Sequence, residues 1–165
     1  MVRSSGQFVL DLSAGKFLKD LTIDTGLNWG EFHEWHWKGF KCHWRVFGKE
    51  KAPPLVFIHG FGASSAHWRK NVSFFAQSGY RVYGIDLLGF GLSEQPGPKK
   101  QRKLDNCLWA NQVIAFLEEI VGPQHSEGTV LIGNSLGGLV SITTVSNRPD
   151  LIKAVVASPL PDPAF

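Results

Sequence analysis

Val130-Leu131-Ile132-Gly133-Asn134-Ser135-Leu136-Gly137-Gly138 decides how this chain is read. Thr129 to Ile132 is a short apolar run that reads as a strand buried on both faces. Beyond the glycines, Leu139 to Asn147 reads as a helix that ends before Pro149. A serine between two glycines at such a junction has a steric reason. When a strand turns into a helix at a single residue, side chains two positions before and after the apex collide, so glycine is required at 133 and 137. The apex side chain is then thrust outward at the positive end of the following helix, where peptide N–H groups stabilise developing negative charge. Ser135 is the candidate nucleophile.

A second motif supports the first. Leu55-Val56-Phe57-Ile58 is another continuous apolar run, bounded by Pro54 and by His59-Gly60-Phe61-Gly62. Acyl transfer needs two donors aimed at an oxyanion. The N–H of Leu136 is one candidate, and the loop carrying Gly60 is placed to offer the N–H of Phe61 as the other. His59, at the strand end, reads as a brace for that loop rather than as a general base.

Strands and helices alternate around these motifs. Trp68, Val72, Phe75 and Ala76 recur at helical spacing, with Ser64 or Ser65 as N-cap and Gly79 as the stop. Arg81 to Ile85 is a strand. Trp109, Val113, Phe116, Leu117 and Ile120 form an amphipathic stripe opened by Asp105 and closed by Gly122-Pro123, and Ala154 to Ala157 is a last strand. This order implies βαβ units and a parallel sheet covered on both faces. Upstream, aromatic and polar residues alternate from Phe32 to Phe47 around Gly39, which predicts a β-hairpin with Trp35 and Trp37 on one face. Residues 1–30 have no clean period and are expected to form a loosely ordered lead-in to a single domain over 31–165.

Three motifs in order, His59-Gly60-Phe61-Gly62, Asp86-Leu87-Leu88-Gly89-Phe90-Gly91-Leu92-Ser93 and Gly133-Asn134-Ser135-Leu136-Gly137-Gly138, resemble the α/β-hydrolase superfamily. The wording around Trp68-Arg69-Lys70-Asn71 and Asp86-Leu87-Leu88-Gly89 is similar to cyanobacterial and plastid hydrolases, including pheophytinase-like members. The resemblance runs from about Phe32 to Ala157. It implies a three-layer α/β fold, a mostly parallel sheet with an N-terminal antiparallel hairpin, truncated after about the sixth strand. It further implies Ser135 as nucleophile, the amides of Phe61 and Leu136 as oxyanion hole, and Asp86 in a structural loop after the fourth strand.

The resemblance also implies an acid after the sixth or seventh strand and a histidine after the eighth. The last histidine here is His125, ahead of the nucleophile, and the sequence stops at Phe165. Asp162 is the candidate acid in the minority arrangement, among Pro159, Pro161 and Pro163. The expectation is a piece of a longer domain, inactive on esters by itself, because serine without a base stays protonated. The alternative is a non-catalytic member of the fold that serves as a ligand-binding module or scaffold.

Composition excludes other classes. With 43% hydrophobic and 19% charged residues and a net charge of +3, the chain reads as globular, not disordered. The basic run Lys99, Lys100, Arg102 and Lys103 has no interleaved aromatics and reads as a solvated loop, so no nucleic-acid partner is expected. Gly60-Phe61-Gly62-Ala63-Ser64-Ser65 lacks the third glycine of a dinucleotide fingerprint and the lysine of a P-loop. His33, His36 and His43 lack the spacing of a metal site, and Cys42 and Cys107 match neither metal nor redox spacing. No metal or organic cofactor is implied, and no apolar run reaches the ~20 residues of a membrane span. The expected location is cytoplasmic, or plastid in a photosynthetic eukaryote, and the expected partner a small-molecule or lipid-like acyl substrate.

Overall fold

Trp35 and Trp37 lie on one face of β1 (Glu31–Trp37), where both are buried against the same apolar cluster. β1 pairs antiparallel with β2 (Phe40–Phe47) through a two-residue turn at Lys38-Gly39. Both turn residues have positive φ, 49° and 78°, which matches the right-handed twist of the flanking strands. The computed structural model describes residues 29–97, 103–122 and 127–158. Expectations for residues 1–28, the run at 99–102, His125 and Asp162 fall outside them.

β2 continues antiparallel onto β4 (Arg81–Ile85). From there β3 (Pro54–Ile58), β5 (Thr129–Gly133) and β6 (Ile152–Ala157) pair parallel. The sheet order is β1-β2-β4-β3-β5-β6. The mixed sheet with its antiparallel N-terminal hairpin is the α/β architecture expected from the strand and helix alternation.

Side chains of period two divide each central strand between two cores. Val56, Ile58, Tyr83, Ile85 and Leu131 face the cluster closed by α2 (Asn106–Phe116) and α3 (Leu136–Asn147). Leu55, Phe57 and Val82 face a second cluster with Trp29, Trp68 and Val72, the last on α1 (Val72–Gln77). Phe57 stacks on Trp68 with ring centroids 4.3 Å apart, a contact worth about 1 kcal/mol beyond its buried area. Trp29 is 2% exposed and donates its indole N–H to the Ser65 carbonyl at 2.9 Å. It covers Gly84 so closely that a Cβ there would lie 2.6 Å from its ring. Packed residues therefore begin at least two positions ahead of the expected domain start at 31.

Two helices differ from expectation. The first is split into a 3-10 segment, Ser65–Lys70, and α1, and Ser64 makes no side-chain cap. Its start is held elsewhere: the Ser65 N–H donates to Asp86 Oδ1 at 2.6 Å, and Ser65 Oγ accepts from Arg45 Nε at 3.0 Å. α3 begins at Leu136, three residues earlier than Leu139. Gly137 and Gly138 hide that start because their helix propensity is low. The carbonyls of Asn134 and Ser135 nevertheless take the N–H groups of Gly137 and Gly138 and launch the helix. The Asp105 cap stands as expected, its side chain accepting from the Leu108 N–H at 2.9 Å. α2 then continues into a wider π turn, Leu117–Val121. Among the described residues no helix is long and apolar enough to cross a membrane.

Candidate active site

Ser135 has φ 51° and ψ −117°, a region that disfavours residues with a side chain. The turn imposes this conformation from both sides. A Cβ on Gly133 would overlap the Gly137 carbonyl, and one on Gly137 would overlap the Ile58 carbonyl. The two glycines predicted from the turn geometry thus sit against backbone that cannot yield. Ser135 is half-buried at the C-terminal ends of β3 and β5, immediately before α3.

Gly60 brings the second motif to the same place. A methyl on Gly60 would lie 3.5 Å from Ser135 Cβ, 3.3 Å from the Asn134 carbonyl oxygen and 3.1 Å from Asn134 Oδ1. The loop turns tightly after it: Ala63 N–H donates to the Gly60 carbonyl at 3.2 Å, and Gly62 has φ 71°. Neither the Phe61 N–H nor the Leu136 N–H donates to a protein acceptor among the described residues. Phe61 is 77% exposed and its ring meets Phe90 edge to face at 5.2 Å. Phe90 in turn packs on Trp109 at 5.7 Å, which makes an aromatic rim beside the elbow.

His59 is fully buried and has both ring nitrogens engaged. Nε2 accepts from the Leu87 N–H at 3.0 Å, so the proton must be on Nδ1, which donates to the Gly60 carbonyl at 2.7 Å. Burial holds its pKa below the ordinary imidazole value, with the Gly60 carbonyl and Asp86 acting the other way. A neutral, doubly bonded imidazole ties the Gly60 loop to the segment after β4. None of the described histidines hydrogen-bonds to Ser135 Oγ.

Asp86 anchors that segment. Its Oδ1 takes the Ser65 N–H at 2.6 Å and its Oδ2 the Leu92 N–H at 2.9 Å, while its carbonyl accepts from Ser93 Oγ at 2.6 Å. A Cβ on Gly91 would collide with the carboxylate, which is why glycine stands there. His43 Nδ1 lies 3.5 Å from Asp86 Oδ2, too far for a good hydrogen bond, and burial lowers its pKa against the pull of that carboxylate. The loop reading of Asp86 fits these bonds. Cys42 is buried, its thiol pushed up to about 11 by burial, and Cys107 is exposed.

Sequence reasoning missed two residues. Gln112 is fully buried and bridges the loop, its Oε1 accepting the Leu88 N–H at 2.8 Å and its Nε2 donating to the Asp86 carbonyl at 3.2 Å. Its place at helical spacing among Trp109, Val113 and Phe116 was the signal. Asn134 was read only as a filler of the motif, yet its side chain donates to the Ser158 carbonyl at 2.9 Å.

Residues 53–165 match the family described as alpha/beta hydrolase fold. The chain belongs to that family. Chloroplastic pheophytinase of Arabidopsis thaliana is 32% identical over 151 residues, covering 74% of this chain and 30% of that protein. Epoxide hydrolase 4 of Mus musculus is 30% identical over 126 residues, covering 76% of this chain and 33% of that protein. The chain thus spans about a third of the length of these curated relatives. Among solved structures, the thioesterase domain from the curacin biosynthetic pathway superposes with a TM-score of 0.72 at 24% identity, covering 84% of this chain and 49% of that one. That likeness concerns the fold. Within the family's architecture, the elbow, the Gly60 loop and the Asp86 loop all meet at the C-terminal edge of the parallel strands, where open α/β sheets place their sites.

Proposed function

We propose that the chain supplies the nucleophile and the oxyanion hole of a serine hydrolase acting on a carboxylic ester or related acyl bond. The observation that carries this is the backbone of Ser135, held at φ 51° beside Gly60. Strain of this kind costs of order 1–3 kcal/mol and persists where the surroundings enforce it. In the proposed reaction Ser135 Oγ bonds to the carbonyl carbon while its proton passes to a base, and the oxyanion is held between the N–H groups of Phe61 and Leu136. The leaving alcohol, thiol or amine departs with a proton, and water then releases the acid and restores the hydroxyl.

Two further features favour acyl chemistry on an apolar substrate. Ring opening of an epoxide through an alkyl-ester intermediate needs a carboxylate at the apex, and the apex here is serine. The exposed Phe61 ring and its neighbour Phe90 offer an apolar surface beside the nucleophile. Asp162, outside the described residues, is retained as a candidate acid.

Fluorophosphonate labelling of the full-length protein tests the reading. Expected is a single adduct mapped to Ser135 and absent from Ser135→Ala. A folded protein that stays unlabelled and turns over no ester would instead be a ligand-binding scaffold.

A further inference from the structure

We propose that Asn134 is a positioning residue that holds the oxyanion loop and the exit from β6 in register with Ser135. The inference rests on the serine-hydrolase reading above and adds to it a residue whose side chain acts through others. Both backbone groups of Asn134 are spent on the turn itself: its N–H donates to the Ile58 carbonyl at 3.1 Å and its carbonyl accepts from Gly137 N–H at 2.8 Å. Its side chain is left to act between segments. Nδ2 donates to the Ser158 carbonyl at 2.9 Å, and Ser158 N–H returns a bond to the Gly133 carbonyl at 3.0 Å. The first residue past β6 is thereby fixed to both residues that lead into the apex.

The other end of the same amide forms a wall against Gly60, where an added methyl would come within 3.1 Å of Oδ1. His59 holds Gly60 as well, through Nδ1–H to its carbonyl. Gly60 is thus tied to an imidazole and packed close to an amide, and the Phe61 N–H follows one residue later. Oxyanion stabilisation depends on donors fixed in place before the charge develops. Loss of the amide would let Gly60 and its neighbour drift relative to Ser135 Oγ, while the elbow's backbone bonds stay intact.

The test compares maximal fluorophosphonate labelling rate with half-saturating probe concentration in the full-length protein. Asn134→Ala is expected to lower the maximal rate about ten- to a hundredfold, the scale of a small misplacement of reacting groups, with the half-saturating concentration largely unchanged. Asn134→His, whose Nδ1–H can stand where the amide N–H stands, is expected to restore most of the rate. Should the alanine variant fail to fold, Asn134→Asp tests the tie to Ser158 alone, since it keeps an oxygen facing Gly60 and loses the donor, and a lowered maximal rate is again expected. Equal maximal rates in wild type and variant, or a loss that merely tracks the unfolded fraction in thermal melts, overturn the positioning role and leave the serine-hydrolase reading standing. A wild-type protein that does not label at Ser135 sinks both.

Discussion

Gly137 and Ile58 stand so close that a methyl group on the glycine would fall on the carbonyl oxygen of the isoleucine. The head of α3 is thereby laid directly on the end of β3, and no side-chain rotation can relieve an added atom. Gly137→Ala is expected to destabilise the fold by about 3 kcal/mol or more, since the clash is with backbone. Gly97→Ala, where nothing lies within 4 Å, is the control and should stay within about 0.5 kcal/mol. Urea unfolding midpoints compare the two.

Ser135 bears the opposite sign. Its positive φ is costly for any residue with a Cβ, while glycine adopts it freely. Relief of about 1–3 kcal/mol of strain, less about 0.5–1 kcal/mol of lost glycine entropy, leaves Ser135→Gly more stable than the parent by about 1 kcal/mol. The same variant should take up no fluorophosphonate. A thermal melt and a labelling gel measure both effects; a lowered melting temperature would contradict the strain argument.

Asp86 supplies a carboxylate to two backbone donors, Ser65 N–H and Leu92 N–H. Asn at this position would turn its NH2 toward one of them and leave that donor without its acceptor, the Ser65 N–H being buried and the Leu92 N–H partly so. Asp86→Asn is expected to cost about 2–3 kcal/mol. Its hydrogen bonds reach neither Ser135 nor Gly60, so the folded fraction should still label at Ser135. Loss of labelling in fully folded Asp86→Asn would place this carboxylate in the chemistry instead.

His59 and His43 both have pKa values held below the ordinary 6.5, in each case chiefly by burial. Around His59 the Gly60 carbonyl and Asp86 favour the charged form, and His67 opposes it. A lowered histidine value means that the unfolded chain binds more protons than the native one between the folded value and 6.5. Stability is then full above about 6.5 and is lost as pH falls through that window. Protonated His59 would also lose its acceptor for the Leu87 N–H. Urea midpoints measured from about pH 8 to about pH 5 should decline below about 6.5. The decline should be shallower in His59→Gln; equal slopes would remove His59 as its source.

Much of the architecture was legible because its signals are local. Apolar runs at 55–58 and 129–132 gave buried strands, and the positions of Gly133 and Gly137 followed from the sterics of a one-residue reversal. The helix at 64–79 was read as continuous because apolar spacing cannot register a tether. Its start is tied to Asp86 and Arg45, which lie about twenty residues away on each side. Trp29 makes a contact of the same long-range kind, its ring lying over Gly84 on a distant strand.

The sequence by itself determined the succession of strands and helices along the chain, the glycines of the elbow and the serine at its apex. Each of these depends on atoms within a few residues of one another, so residue type and spacing suffice. Only the tertiary structure decided that Gly60 lies against Ser135, that His59 is neutral and doubly bonded, and that Asn134 joins the elbow to Ser158. Those relations cross between strands that are neighbours in the sheet but 24 to 75 residues apart in sequence. Hydrogen-bond partners at such separations are chosen by how strands stack and by which groups burial leaves unsatisfied, and neither is written in the local pattern.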